Sequence, residues 1–186
     1  TICDVVPLVG LNRAIVKQGL KIFNLKKNLG LKTLIDICKI ESKTSTYHLG
    51  YIIGPRINAG GRVGKCSHGA NLLLNKNPRE SFQLATELEM FNSERKKLEK
   101  DLLNAVLNTV SKNINDPVLV LQGNNWHEGI IGIIAAHIKE KFNKPTVIIS
   151  INNDTGKASA RSIIGFDIGA VILSALQNNL LIKGGG

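Results

Sequence analysis

The chain has 186 residues, 43% of them hydrophobic, and 24 Lys and Arg against 14 Asp and Glu, a net charge of +10. That length supports one domain or two small ones, and no apolar run approaches the ~18 residues of a membrane span. Cys3, Cys38 and Cys66 are odd in number and far apart, which argues against a disulfide framework or a zinc knuckle and for a reducing cytosol.

The charge is unevenly placed. Residues 1–77 carry 12 Lys and Arg against 3 Asp and Glu, residues 78–113 carry 6 of each, and residues 114–186 carry 6 against 5. A basic excess confined to one segment predicts a polyanion partner for that segment. Aromatic residues make up 4%, so a nucleic-acid grip is expected to rest on phosphates more than on stacked bases. The chain opens on threonine, without a charged-then-apolar leader, and stops at Lys183-Gly184-Gly185-Gly186. Both ends read as cut, as in a piece of a longer protein.

Thr1 to Leu8 is a short β-branched run with Asp4 inside it. A carboxylate on a buried strand end needs a cation or hydrogen-bond donors. Metal binding is one reading and capping of the next helix is the other, with Pro7 standing against the cap. Asn12 to Phe23 repeats apolar residues at helical spacing, as do Leu31, Leu34, Ile35 and Cys38 in a second helix over 31–40. Thr44 to Ile53 is rich in Thr and Tyr and predicts a strand. His48 and His68 have no partner at ligand spacing and read as ordinary polar residues.

Gly54 to Gly64 packs four glycines, Pro55, Asn58, Arg56 and Arg62 into eleven residues, with no Asp or Glu within ten residues on either side. Glycine permits close backbone approach and arginine offers a planar fork of donors. A rigid, positively charged loop able to hold a phosphate ester is expected; a tight turn with solvated arginines is the plainer alternative. Gly69 to Asn75 predicts a short helical turn.

Asn77-Pro78-Arg79-Glu80 supplies an N-cap, proline at the first helical position and an acid three residues after the cap. Leu84, Leu88, Phe91, Leu98, Leu102, Val106 and Val110 follow in one stripe, predicting about eight turns that end before Asn115-Asp116-Pro117. The stripe breaks at Arg95 and lacks sustained heptads, so a helix joining two domains is expected rather than a coiled-coil dimer.

Residues 118–122 read as a buried strand, 123–129 as a turn holding Trp126, His127 and Glu128, and 130–142 as a helix with Lys139, Lys141 and Lys144 near its end. Residues 146–150 form a second strand, which implies a parallel crossover. Residues 157–163 read as a third strand and 167–178 as a helix capped by Asp167. In that third strand Ser159 and Arg161 share a face, and with Ser162 they form a trio suited to one phosphate. A polar edge strand is the plainer account. His127 and Glu128 before a helix N-terminus suggest an anion site, with a simple loop as the alternative.

Four motifs, Thr1 to Leu8, Gly54 to Gly64, Trp126 to Ile133 and Ser159 to Ile163, together with their order and the long helix, resemble the RecJ family of single-strand-specific 5′→3′ exonucleases, within the DHH phosphoesterase superfamily. The resemblance implies an α/β fold in three parts. Residues 1–77 correspond to the end of a DHH-type catalytic domain and residues 78–113 to a connecting helix. Residues 114–186 correspond to a truncated DHH-associated, substrate-binding α/β domain with a βαβ crossover. It implies that Asp4 is a metal ligand, and that Arg56, Asn58, Arg62, His127, Ser159, Arg161 and Ser162 contact substrate. Arg62 and Arg161 are then expected on opposite walls of one groove.

Ala160 stands where the family usually has glycine. The resemblance implies two Mn²⁺ or Mg²⁺ ions, a single-stranded DNA partner, a single-strand-binding protein or helicase alongside in the cell, a cytoplasmic monomer and no membrane. The Asp-His-His motif and the other metal-binding aspartates are missing, so this piece alone is expected to be inactive. Two alternatives stay open: a phosphodiesterase acting on oligonucleotides or cyclic dinucleotides, and a non-catalytic nucleic-acid-binding remnant of a split gene.

Overall fold

A computed structural model of the chain describes residues 2–113 and 115–185. The chain divides into two compact units, residues 1–96 and residues 97–186.

The first unit is helical. α1 (Gly10–Phe23), α2 (Leu29–Ile37), α3 (Gly54–Val63), α4 (His68–Leu74) and the first half of α5 (Pro78–Asn113) surround a core of Leu34, Ile35, Ile40, Ile53, Leu72, Ala85 and Leu88. α2 starts where Asn28 Oδ1 accepts the Leu31 amide at 2.9 Å, satisfying one of the donors that a helix start leaves open. α1 has no such cap: Val9 precedes it without a side-chain bond.

Two expectations for residues 44–64 are corrected. No strand runs from Thr44 to Ile53. Asn24 clamps Thr44 instead, accepting from its amide at 2.8 Å and donating to its carbonyl at 3.0 Å. Ser45 then donates to His48 Nδ1, and a π-helical segment occupies His48–Ile53. β-propensity lost to tertiary packing here, because Ile53 is wanted in a helical core.

Gly54 to Gly64 is likewise not a loop. It continues as α3, with Pro55 in the first turn, where its missing N–H costs nothing. Its glycines serve close contact rather than turning. A Cβ on Gly54 would lie 2.4 Å from Cys3 Sγ and 2.8 Å from the Leu49 carbonyl oxygen, and one on Gly60 would lie 2.6 Å from the Lys65 carbonyl oxygen. Gly54→Ala is therefore expected to cost about 1–3 kcal/mol through overpacking, read as a lower Tm in a thermal melt. An unchanged Tm would mean that Cys3 and Leu49 simply move aside.

α5 begins as the sequence implies. Asn77 Oδ1 accepts from the amides of Arg79 and Glu80 at 2.9 and 3.4 Å. The reciprocal half of a capping box is missing, since Glu80 accepts from the Asn75 side chain at 2.9 Å. The helix has 36 residues, about ten turns rather than eight. Its stripe breaks at Asn92 and Arg95, bonded to each other at 3.1 Å, close to where the helix passes from one unit to the other. His68 is not an ordinary surface residue. It is buried, and its Nε2 lies 2.7 Å from Glu87 Oε2 on α5.

The second unit is α/β. β1 (Leu119–Asn124), α6 (Glu128–Phe142), β2 (Thr146–Asn152), β3 (Thr155–Arg161) and α7 (Ile168–Gln177) follow the second half of α5. β1 and β2 are parallel across the α6 crossover, and β3 returns antiparallel to β2 through a turn with Asn153 at φ 51°. The register aligns Leu121, Ile148 and Ser159, and likewise Leu119, Thr146 and Arg161. Leu119, Leu121, Thr146 and Ile148 are buried, with Ile130, Ile131, Ile134 and Ile138 of α6. Asp167 caps α7 by accepting the Ala170 amide at 3.0 Å.

Candidate nucleic-acid interface

In the first unit, α3 sorts its polar side chains by direction. Asn58 and Arg62 are four residues apart, hence on one helix face, and both are exposed. Arg56 points the other way. Its Nε donates to Glu89 of α5, its Nη1 donates to the Ile52 carbonyl at 2.7 Å, and its side chain is 14% exposed. The resemblance grouped both arginines as substrate contacts; the Arg56 guanidinium is largely covered and bonded to Glu89 and Ile52, whereas the Arg62 residue is exposed. Burial and the neighbouring Glu89 push the Cys38 thiol up, although Arg56 works against them.

Asp4 sits in a turn over residues 2–5 and is exposed, which corrects the buried strand end expected for it. Val5 follows at φ 56°, a left-handed conformation unusual for a β-branched residue.

In the second unit, the start of α6 and the strand β3 come together. His127 is the N-cap of α6, and its Nδ1 accepts the Gly129 amide at 3.2 Å. A neutral ring bonded in this way carries its proton on Nε2, where it is a donor. Trp126 is fixed by Ser150, whose Oγ donates to the Trp126 carbonyl at 2.6 Å. Its indole lies against Gly123, where a Cβ would come within 2.1 Å. Glu128 accepts from Lys157 Nζ at 2.7 Å and from Asn152 Nδ2 at 3.4 Å. Hydrogen bonding from the Lys157 ammonium holds its carboxyl below the usual carboxylate range.

One turn into α6, Gly132 opens the space between helix and strand. A Cβ there would lie 3.1 Å from Ser159 Oγ and 3.5 Å from Arg161 Nη2, so these side chains stand together against the helix surface. The sequence carries this signal in the spacing of Gly129 and Gly132, but the sequence reading gives Gly132 no role. Arg161 also donates from Nη1 to the Ala160 carbonyl at 2.8 Å. Ser162 lies one residue beyond β3, and its hydroxyl donates to the Phe166 carbonyl, tying down the following loop. The result is a hydroxyl and a guanidinium beside the first turns of a helix, the polarity that suits an anion.

Residues 115–186 match the DHHA1 domain family. The whole chain is 34% identical to the single-stranded-DNA-specific exonuclease RecJ of Escherichia coli K12, and covers 34% of that protein. The resemblance is to RecJ, and it covers the whole chain.

RecJ of Bacillus subtilis is 32% identical over 90% of this chain and 22% of its own length. Among solved structures, RecJ from Thermus thermophilus in complex with Mn²⁺ aligns with a TM-score of 0.88 at 31% identity, covering all of this chain and 27% of that one. The Mg²⁺ complex of that RecJ gives 0.85 at 30% identity, covering 29% of that chain. The chain thus spans about a third or less of the curated RecJ relatives it matches. Those two RecJ structures hold divalent metal. In this chain no group of three or more His, Cys, Asp or Glu side chains is placed to share an ion, among the described residues. Asp4 alone does not make a RecJ metal centre, since Mn²⁺ and Mg²⁺ take several oxygen or nitrogen ligands.

Proposed function

We propose that this chain is the substrate-gripping part of a RecJ-type exonuclease, one that removes nucleotides from single-stranded DNA in the 5′→3′ direction during repair and recombination. The observation that carries the proposal is the juxtaposition of Ser159, Arg161 and Gly132 at the start of α6. Arg161 binds one phosphate through charge-assisted bonds, Ser159 donates its hydroxyl to the same group, and Gly132 leaves the room it needs. His127 contributes its Nε2 proton, and Ser162 holds the end of β3 in register. Asn58 and Arg62 contact the sugar-phosphate backbone from α3. Arg56 is a positioning residue that fixes α3 against α5.

In the longer protein Asp4 supplies one ligand to a site completed by residues outside this chain. Divalent metal held there would supply activated water for phosphodiester hydrolysis. The grip reads backbone rather than sequence, because its contacts are ionic and the basic excess lies in residues 1–77. Residues 1–77, 78–113 and 114–186 act as catalytic-domain end, connector and substrate domain, in a cytoplasmic, monomeric enzyme.

Binding of labelled oligodeoxynucleotides at several salt concentrations tests this reading. For single strands the salt slope is about −0.7 for each phosphate neutralised. Arg161→Ala is expected to weaken binding equally for all base sequences and to flatten that slope by about 0.7. Equal binding by both proteins at low salt would remove Arg161 from the interface.

A further inference from the structure

Two tyrosines form an exposed pair that the phosphate grip leaves unused. Tyr47 and Tyr51 stack with ring centroids 5.2 Å apart and planes at 29°. They are 60% and 75% exposed, so the pair is not a core contact. Beside them opens a pocket of about 280 Å³, lined by both rings, Thr46, Gly50, Ile2 and Val5. Tyr51 belongs to the π-helical segment that runs straight on into α3, the helix carrying Asn58 and Arg62. At 1.5 Å per residue, Asn58 and Arg62 lie roughly 10 and 16 Å further along this rod.

We propose that the Tyr47–Tyr51 pair and its pocket take an unpaired nucleobase of the bound single strand. This deepens the proposed function and rests on it. An aromatic face is sequence-tolerant, since every base has a π-face, and it suits single strands because paired bases offer no free face. Charge favours a nucleic acid over an apolar peptide. From Ser42 to Arg79 the chain has no Asp or Glu, and Lys43, Arg56, Arg62, Lys65, Lys76 and Arg79 are all cationic. Glu41 is the last carboxylate before this stretch, and Asp4 lies in the turn that supplies Ile2 and Val5. A neutral base tolerates that neighbour better than a phosphate does. The backbone then passes from the tyrosines toward Asn58 and Arg62, with base and phosphate read at successive points of one helical rod.

These are the only two tyrosines in the chain, so fluorotyrosine labelling gives fluorine NMR signals from this pair alone. The labelled chain is titrated with a thymidine octamer and with an abasic octamer of the same backbone. Both signals are expected to move with the thymidine octamer and stay still with the abasic one, although both oligomers bind. Replacing both residues, Tyr47→Ala with Tyr51→Ala, is expected to weaken thymidine-octamer binding at least about fivefold and leave abasic binding unchanged. The matching Phe variants keep the stack and the affinity. If both oligomers bind and neither moves the signals, the platform is overturned while the nucleic-acid reading stands. If neither binds, both fail. Signals that move with protein concentration alone would mean that a second copy fills the pocket, which also overturns the platform.

Discussion

Arg56→Ala is expected to destabilise residues 1–96 by about 1–3 kcal/mol, while Arg62→Ala changes stability by no more than about 0.5 kcal/mol and acts on binding instead. The two arginines are six residues apart and look equivalent in sequence. Arg56 donates to Glu89 and to the Ile52 carbonyl from a largely covered position. Removing it strands a half-buried carboxylate and a carbonyl, and losing one partner of a covered pair costs more than the pair itself contributes. Arg62, six residues further along α3, is exposed. Its loss removes a cation from the face proposed to meet phosphate, so single-strand affinity falls and the salt slope flattens.

Denaturant unfolding followed by anisotropy with a labelled oligomer reads both quantities on one sample set. A stable Arg56→Ala protein with weak binding, or an unstable Arg62→Ala protein with normal binding, would reverse the assignment. Arg56→Lys serves as the control. It keeps the charge but loses the fork, and it is expected to recover only part of the stability.

That contrast also shows which features the sequence carries and which it hides. The start of α5, the caps at Asn77 and Asp167 and the strand-helix-strand order of residues 119–152 are legible because their signals are local. A side chain bonds an amide two or three residues away, and an apolar stripe repeats at a fixed period. The pairing of Ser159 with Arg161 on one face follows from strand geometry alone.

Residues 44–64 mislead for the opposite reason. Their glycines and proline read as turn formers, and their Thr and Tyr as strand formers. Their roles are set by partners far away in sequence: Cys3 against Gly54, Asn24 against Thr44 and Glu89 against Arg56. His68 looks ordinary in sequence because Glu87, its partner, is 19 residues downstream on another helix. The missing half of the capping box has a local cause instead: Asn75, five residues before Glu80, takes its carboxylate.

Incubated with Mn²⁺ and single-stranded DNA, the 186-residue chain is expected to bind the strand without shortening it. On the proposed reading, binding needs only the cationic faces and the anion-suited start of α6, and both are built from residues within this chain. Hydrolysis needs carboxylates and imidazoles gathered around metal. Among the described residues neither Asp4 nor any other side chain belongs to a cluster of three or more candidate ligands. Mn²⁺ and Mg²⁺ demand several hard ligands each, so one aspartate holds neither ion firmly. Electrophoresis of an end-labelled strand after long incubation, with and without chelator, provides the measurement. Chelator is expected to change nothing, and Asp4→Asn is expected to bind as well as the parent chain. Chelator-sensitive shortening that disappears in Asp4→Asn would locate a working metal site inside these residues. The assignment of the remaining ligands to a further part of a longer protein would then have to be abandoned.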